Sequence, residues 1–256
     1  VADVWTSGNA YDAYVGRWSR RVAESFVAWL ALPPGRRWLD VGCGTGALTA
    51  AVLEAAAPAS VVGVDPSLGF LATARARLGR ATFRQGDARA LPLPSHSVDV
   101  VVSGLTLNFV PVPAVAAAEW RRVVTPGGTV AAYVWDYAEG MQMMRVFWDA
   151  AAALDPAAAA ADEGPRFAIC HPDALSDLWV ATGFSDVRTR AIEVATDFAD
   201  FDDFWGPFLG GQGPAPAYVA SLDEPDRAAL RDAVRARLPR GPIHLTARAW
   251  AVKGVR

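Results

Sequence analysis

From Arg37 to Trp135, short runs of β-branched and aliphatic residues alternate with alanine-rich segments of helical length. That alternation predicts βαβ units around a parallel sheet, whose central strands are buried on both faces and so read as continuous apolar runs. The strands fall at 38–41, 60–65, 81–85, 98–102 and 129–135, with helices near 46–57, 67–78 and 112–124. The last helix opens at Pro111 and Pro113, where a missing N–H is tolerated, and closes before Pro126-Gly127-Gly128.

On either side of this stretch the period changes. Residues 9–31 place Tyr11, Tyr14, Val15, Trp18, Val22, Phe26, Trp29 and Leu30 at helical spacing up to Pro33-Pro34-Gly35, which predicts one or two helices before the sheet. Two late segments, 186–194 and 244–253, alternate polar and apolar positions as antiparallel strands do, and extend the sheet at its edge. The chain then divides into an N-terminal helical segment (1–36), a core (37–136), a helical and aromatic cap with an edge strand (137–220), and a last helix and strand (221–256), all within a single domain.

Composition narrows what this fold can do. The chain has 256 residues, 52% hydrophobic and 20% charged, enough to bury a sizeable core and too apolar for disorder. No uninterrupted apolar stretch approaches the ~18 residues of a bilayer span, so no membrane segment is expected. The opening Val1-Ala2-Asp3-Val4-Trp5 has no basic region followed by an apolar one, and Cys43 and Cys170 are too few for a disulfide framework. A reduced, cytoplasmic protein is the expectation. Of 24 basic residues all but Lys253 are arginines, which removes Walker loops, Schiff-base lysines and Tyr-x-x-x-Lys pairs. A sequence pI of 5.6 gives no basic footprint, so nucleic acid is not an expected partner. No His-x-x-x-His, Cys-x-x-Cys or dense carboxylate cluster suggests a metal.

The sharpest chemical signal is Leu39-Asp40-Val41-Gly42-Cys43-Gly44-Thr45-Gly46, at the junction of a strand and a helix. Glycines there allow a tight turn and let a ligand lie against bare backbone at the helix N-terminus. Asp65 ends the next strand, where a carboxylate can accept from both hydroxyls of a ribose. These residues fit an adenosine-type ligand, and Gly42-x-Gly44-x-x-Ala47 fits a nicotinamide dinucleotide as well. Two acids point away from the dinucleotide. Asp40 would repel a pyrophosphate but suit a cationic amino group, and Asp87, in Gly86-Asp87-Ala88, offers an acceptor for an adenine amine.

With Val62-Gly63-Val64-Asp65-Pro66-Ser67, Val98-Asp99-Val100-Val101-Val102-Ser103 and Arg121-Arg122-Val123-Val124-Thr125-Pro126-Gly127-Gly128, the sequence resembles the class I S-adenosylmethionine-dependent methyltransferases over roughly residues 9–135 and again in the last strand. The resemblance is to the small-molecule, UbiE-like type 11 group. It implies an α/β, Rossmann-like, seven-stranded and mostly parallel sheet with helices on both faces and an α-helical cap insertion. The implied cofactor is S-adenosyl-L-methionine, leaving as S-adenosyl-L-homocysteine. Asp40, Gly42, Cys43, Gly44 and Gly46 would surround its methionine part, and Asp65 would hold the ribose. Pro66 or Ser67 would flank the adenine, with Gly86, Asp87 and the Ala88 amide at its edge. Ser103 and Leu105 would line the floor near the methyl group, and Tyr14 and Arg17 would belong to a segment covering the cofactor.

The implied reaction is in-line methyl transfer, in which the protein mainly aligns and desolvates the reactants. A base is needed only for an acceptor still protonated at working pH. Candidates are His171, Asp136 and Tyr137, with Asn108 as an orienting group; His171 also sits where a helix begins. The segment Ser103-Gly104-Leu105-Thr106-Leu107-Asn108-Phe109 is not the Asn/Asp-Pro-Pro-Tyr/Phe of enzymes that methylate base amines. A small acceptor, apolar or aromatic, is therefore expected, under a roof from the aromatics of 137–220 and with 204–213 as a lid. A nicotinamide oxidoreductase and a non-catalytic binding module remain the alternatives, and the protein is expected as a monomer or homodimer.

Overall fold

The computed structural model describes residues 16–210 and 213–256. Seven strands form one sheet: β1 (Arg37–Val41), β2 (Ser60–Asp65), β3 (Thr82–Gln85), β4 (Val98–Gly104), β5 (Val124–Trp135), β6 (Ser185–Phe198) and β7 (Ile243–Val255), in the order β3-β2-β1-β4-β5-β7-β6. The first five run parallel. β7 is reversed: Arg256 exchanges hydrogen bonds with Gly127 and Gly128 at one end of β5, while Asp136 at the other end donates to the Arg248 carbonyl. The seven-stranded, mostly parallel α/β sheet expected from the sequence is present.

The helices are α1 (Arg17–Leu30), α2 (Ala47–Ala55), α3 (Leu68–Arg77), α4 (Pro113–Val123), α5 (Gln142–Leu154), α6 (Glu163–Arg166), α7 (Pro172–Thr182), α8 (Phe201–Trp205), α9 (Pro214–Ser221) and α10 (Glu224–Arg235). The strand order winds outward in both directions from β1. Right-handed crossovers then place α2 and α3 on one face and α4 on the other, leaving a crevice at the carboxyl ends of β1 and β4.

By contact density the chain forms two compact units. One holds Ser19–Val134, Ile169–Ile192 and Ala249–Arg256; the other holds, among the described residues, 16–18, 135–168, 193–210 and 213–248. The first contains β1 to β4 and most of β5. Its core is Trp38, Leu39, Val101, Val130 and Ala131 in the sheet, with Trp120 and Trp179 from α4 and α7 meeting edge to face at 6.2 Å. The Trp179 indole donates to the Val130 carbonyl at 3.0 Å, so this buried polar atom is satisfied. In the second unit Phe147, Trp148, Phe204, Trp205 and Phe208 are buried together, with Phe147 stacked on Phe208 at 4.5 Å.

One boundary differs from expectation. Pro126-Gly127-Gly128 does not separate helix from strand but lies inside β5. Gly127 has φ +75°, and a Cβ on Gly128 would fall 2.7 Å from the Asp99 carbonyl oxygen. These glycines form an irregularity where pairing with β4 shifts register between Val98 and Val100, so the strand begins five residues earlier than the β-branched run at 129 suggests.

Candidate active site

The glycine loop follows β1 and is fixed from three sides. Gly42 and Cys43 both donate to the Val64 carbonyl, at 2.7 and 3.1 Å. Gly42 has φ +71°, and a Cβ there would lie 2.2 Å from the Thr106 methyl group, so the post-β4 segment is packed directly on the loop. Gly46, at φ +93°, has the Leu78 side chain where its Cβ would be, at 2.6 Å. Gly44 differs from both. Its φ is +53°, yet nothing lies within 4 Å of the position a Cβ would take, so its bare backbone faces open space.

Asp65, at the end of β2, is nearly buried and reaches back to this loop. Its carboxylate accepts from the Gly44 amide at 2.9 Å and from the Ser67 amide at 2.8 Å, one on each oxygen. Burial pushes its pKa up, against those two bonds, which favour the charged form. Each oxygen keeps a further lone pair, so the amides orient the carboxylate without exhausting it. Ser67 also caps α3, accepting from the Phe70 amide, and Pro66 is exposed beside it.

Asp40 is fully buried. One oxygen accepts from the Thr49 hydroxyl at 2.6 Å, while Oδ1 has no hydrogen-bond partner. Desolvation, moderated by that hydroxyl and reinforced by the nearby Asp65 charge, pushes its pKa up to about 7. Cys43 is buried with its thiol pKa raised, so it is an inert packing residue. Asp87 is exposed and held by its neighbour: Arg89 donates its amide and guanidinium at 2.7 to 2.9 Å, and these bonds draw the carboxyl down to about 2. Three of its roughly four acceptor positions are thus occupied. Gly86 donates to the Asp65 carbonyl, and Ala88 accepts from the Trp120 indole at 3.1 Å.

Several expectations need correction. Ser103 is fully buried and its hydroxyl donates to the Val41 carbonyl at 2.8 Å, so it straps β4 to β1 and presents no hydroxyl to a ligand. His171 is the N-cap of α7, with Nδ1 accepting from the Asp173 amide, and its side chain is 64% exposed; it belongs to a helix start. Asp136 is committed to Arg248 at 2.6 Å and to the Glu139 amide at 3.0 Å, which organise the turn after β5. Tyr137 packs against Phe167 at 5.6 Å between ring centres. Tyr14 and the Arg17 side chain lie outside the described residues, as do Gly211 and Gln212 of the expected lid.

Two site residues were not singled out in the sequence. Thr49 and Thr106 are unremarkable by type and spacing, and only the fold brings one to Asp40 and the other to Gly42. A cavity of about 350 Å³ beside the loop is lined by Thr45, Gly46, Ala47 and Ala50, and adds Arg20 and Arg77 to that neighbourhood. Leu105 and Asn108 follow β4 next to Thr106, and Asn108 is buried.

Residues 39–132, which hold the loop, the acids and the post-β4 segment, match a family model described as Methyltransferase domain. Over these residues the chain is similar to methyltransferase domains. The match favours this domain over the nicotinamide alternative. Over 112 residues the chain is 41% identical to a demethylmenaquinone methyltransferase of Renibacterium salmoninarum, covering 44% of this chain and 45% of that protein. Over 160 residues it is 32% identical to a trans-aconitate 2-methyltransferase of Acidovorax sp., covering 62% and 61%. The matched part therefore spans roughly half the length of such relatives. In fold, the chain resembles phosphoethanolamine N-methyltransferase 2 of Haemonchus contortus bound to S-adenosylhomocysteine, with TM-score 0.58, 16% identity, and coverage of 92% of this chain and 52% of that one. Among the described residues no helix is long and apolar enough to cross a membrane, and no group of three or more His, Cys, Asp or Glu is placed to hold a metal.

Proposed function

We propose that this protein transfers a methyl group from S-adenosylmethionine to a small acceptor. The observation that carries the reading is the pairing of an open Gly44 backbone with the Asp65 carboxylate oriented by the Gly44 and Ser67 amides, at the carboxyl ends of β1 and β2. The residues present fit the cofactor. Gly44 leaves a face that a side chain would fill, Asp65 offers two oriented acceptors for a ribose, and Asp40 keeps one buried oxygen unpartnered. Asp87 would have to share its carboxylate between Arg89 and an adenine amine. In this reading residues 37–136 are the cofactor-binding core, and 137–220 are a helical and aromatic segment of their own.

The cofactor supplies an electrophilic methyl carbon on a good leaving group. An acceptor atom aligned with that carbon would take the methyl group, the carbon–sulfur electron pair passing to sulfur and any proton on the acceptor atom to water. What the protein contributes is position. Well-oriented reactants gain roughly 7–11 kcal/mol over free encounter, which makes a rigid loop more valuable than a dedicated base. The interlock of Gly42 with Thr106 supports that role, since it fixes the cofactor loop against the segment nearest the acceptor. The names of the relatives, a demethylmenaquinone and a trans-aconitate methyltransferase, support a small oxygenated acceptor. Incubation with S-adenosylmethionine and a panel of quinols, phenols and carboxylic acids, read by mass spectrometry for S-adenosylhomocysteine, tests the proposal. Acceptor-dependent product is expected, and binding of the cofactor without turnover on any member would favour a non-catalytic module.

A further inference from the structure

Residues 86–97 join β3 to β4 and form no helix and no strand of the sheet. Such a connection is ordinarily among the least fixed parts of a fold, yet this one is pinned along its length. Gly86 donates to the Asp65 carbonyl at 3.2 Å, and a Cβ on it would fall 2.8 Å from the Pro92 ring. The Asp87 carbonyl accepts from the Ala90 amide at 3.0 Å, which closes a tight turn. In a trans peptide the carbonyl and the following N–H point opposite ways. The Ala88 amide is therefore directed out of that turn, where no acceptor meets it among the described residues. The Asp87 carboxylate is exposed beside it. A donor and an acceptor thus stand open on consecutive residues.

The turn is held by α4. Trp120, fully buried, donates its indole N–H to the Ala88 carbonyl at 3.1 Å. One residue earlier, Glu119 Oε1 accepts from the Leu91 amide at 2.7 Å. Arg122 grips the same carboxylate in a fork, Nε to Oε2 and Nη2 to Oε1, both at 2.7 Å. It reaches on to the Leu93 carbonyl at 2.9 Å and the Ser95 hydroxyl at 3.1 Å. The guanidinium holds the Glu119 carboxyl below its ordinary range, so the acceptor offered to Leu91 is a charged one and its bond a strong one. With 15% of its side chain exposed, Glu119 is the point on which the turn and the rest of the connection converge.

We infer that Glu119 is a positioning residue for base selectivity: through the Leu91 amide it fixes the Asp87–Leu91 turn so that the Ala88 amide and the Asp87 carboxylate accept adenine and refuse hypoxanthine. The inference rests on the cofactor reading and adds to it a residue that does not touch the ligand. Hypoxanthine carries an oxygen where adenine has its amine, and an N–H where adenine has a bare ring nitrogen. Against this turn it would set acceptor to acceptor and donor to donor, and a site built to hydrogen-bond one edge rejects the other. Because hydrogen bonds weaken steeply with misalignment, a loosened turn would lose that discrimination while the glycine loop and Asp65 still held the rest of the ligand.

The test begins with calorimetric titration of the full chain with S-adenosyl-L-homocysteine. Without that binding the cofactor reading itself fails, and the inference with it; with it, the inference stands or falls alone. S-inosyl-L-homocysteine, the same ligand with its adenine deaminated to hypoxanthine, is then titrated into the natural protein, Glu119→Gln and Glu119→Ala. The natural protein is expected to favour the adenosyl form by at least ~100-fold. Glu119→Gln keeps the shape but has one oxygen for two claimants, the Leu91 amide and Arg122, and the preference should fall by about 3- to 10-fold. In Glu119→Ala, which offers neither, it should fall by more than ~10-fold. A merely structural role would weaken both ligands alike and leave their ratio unmoved. Equal affinities in the natural protein, an unchanged ratio in whichever variant folds, or failure of both variants to fold each overturns the inference.

Discussion

Two glycines two residues apart, Gly42 and Gly44, illustrate what a single residue does here. Gly42→Ala places a methyl group 2.2 Å from Thr106 in a left-handed backbone, and neither the strand end nor the Thr106 clasp can move far. The variant is expected to lose several kcal/mol of stability, or to fail to fold, in a thermal melt. Gly44→Ala meets nothing within 4 Å, so only the left-handed penalty of about 1–2 kcal/mol applies. That variant should fold, yet bind S-adenosylhomocysteine at least ~10-fold more weakly, because the methyl group occupies the face left to the ligand. At the neighbouring acid, Asp65→Asn keeps the shape but turns one acceptor into a donor facing the Gly44 or Ser67 amide. With charge-assisted bonds worth about 1.5–3 kcal/mol each, a loss of more than tenfold in calorimetric affinity is expected. Unchanged affinity would remove the ribose assignment. The glycines and Asp65 were legible in the sequence because backbone geometry restricts which residue types can stand there. Thr49 and Thr106 were not, since a threonine that clasps a distant carbonyl looks like any other until the strands are paired.

At the scale of elements, the sequence marked β1, β2 and β4 because a strand buried on both faces reads as a nearly continuous apolar run. The last two strands, β6 and β7, were legible for the opposite reason, as alternating patterns, although both extend beyond the predicted ends. The misplaced start of β5 shows where pattern reading stops. A Pro-Gly-Gly run signals a break, and only the approach of the Asp99 carbonyl to Gly128 reveals that the strand continues through it. Helix α7 corrects the reading of His171 in the same way. A histidine before Pro-Asp reads as a base or, more commonly, as a loop residue at a helix start, and its bond to the Asp173 amide makes it a cap. His171→Ala is therefore expected to lower the melting temperature by no more than a few degrees and to leave kcat within about twofold. A loss of turnover by orders of magnitude with an unchanged melt would restore the base.

Across the whole molecule, buried acids set how stability responds to pH. Asp40 and Glu163 are both pushed up to about 7 by burial, Glu163 in spite of a 2.6 Å bond from the Trp148 indole. The folded protein holds these protons after the unfolded chain has released them, above pH about 4, so stability falls as pH rises from about 4 to 7 and levels off beyond. Asp87 and Asp99, drawn down to about 2 by Arg89 and Arg37, act with the opposite sign: their contribution is present above pH about 4 and lost as pH falls toward 2. Arg37, Arg89 and Asp87 are open to water and Asp99 is half-buried, so screening keeps both contributions small. In ligand-free protein the melting temperature of Asp40→Asn, relative to the natural chain, should rise by roughly 5 °C between pH 4.5 and pH 8. A flat difference would mean that Asp40 is ionised throughout. The central claim, however, concerns the ligand that the loop and its acids hold. Calorimetric titration with S-adenosylmethionine, S-adenosylhomocysteine and NAD side by side tests it most directly. Saturable micromolar binding of the two adenosyl compounds, with none of NAD, is the predicted result; binding of NAD without the adenosyl compounds would contradict it.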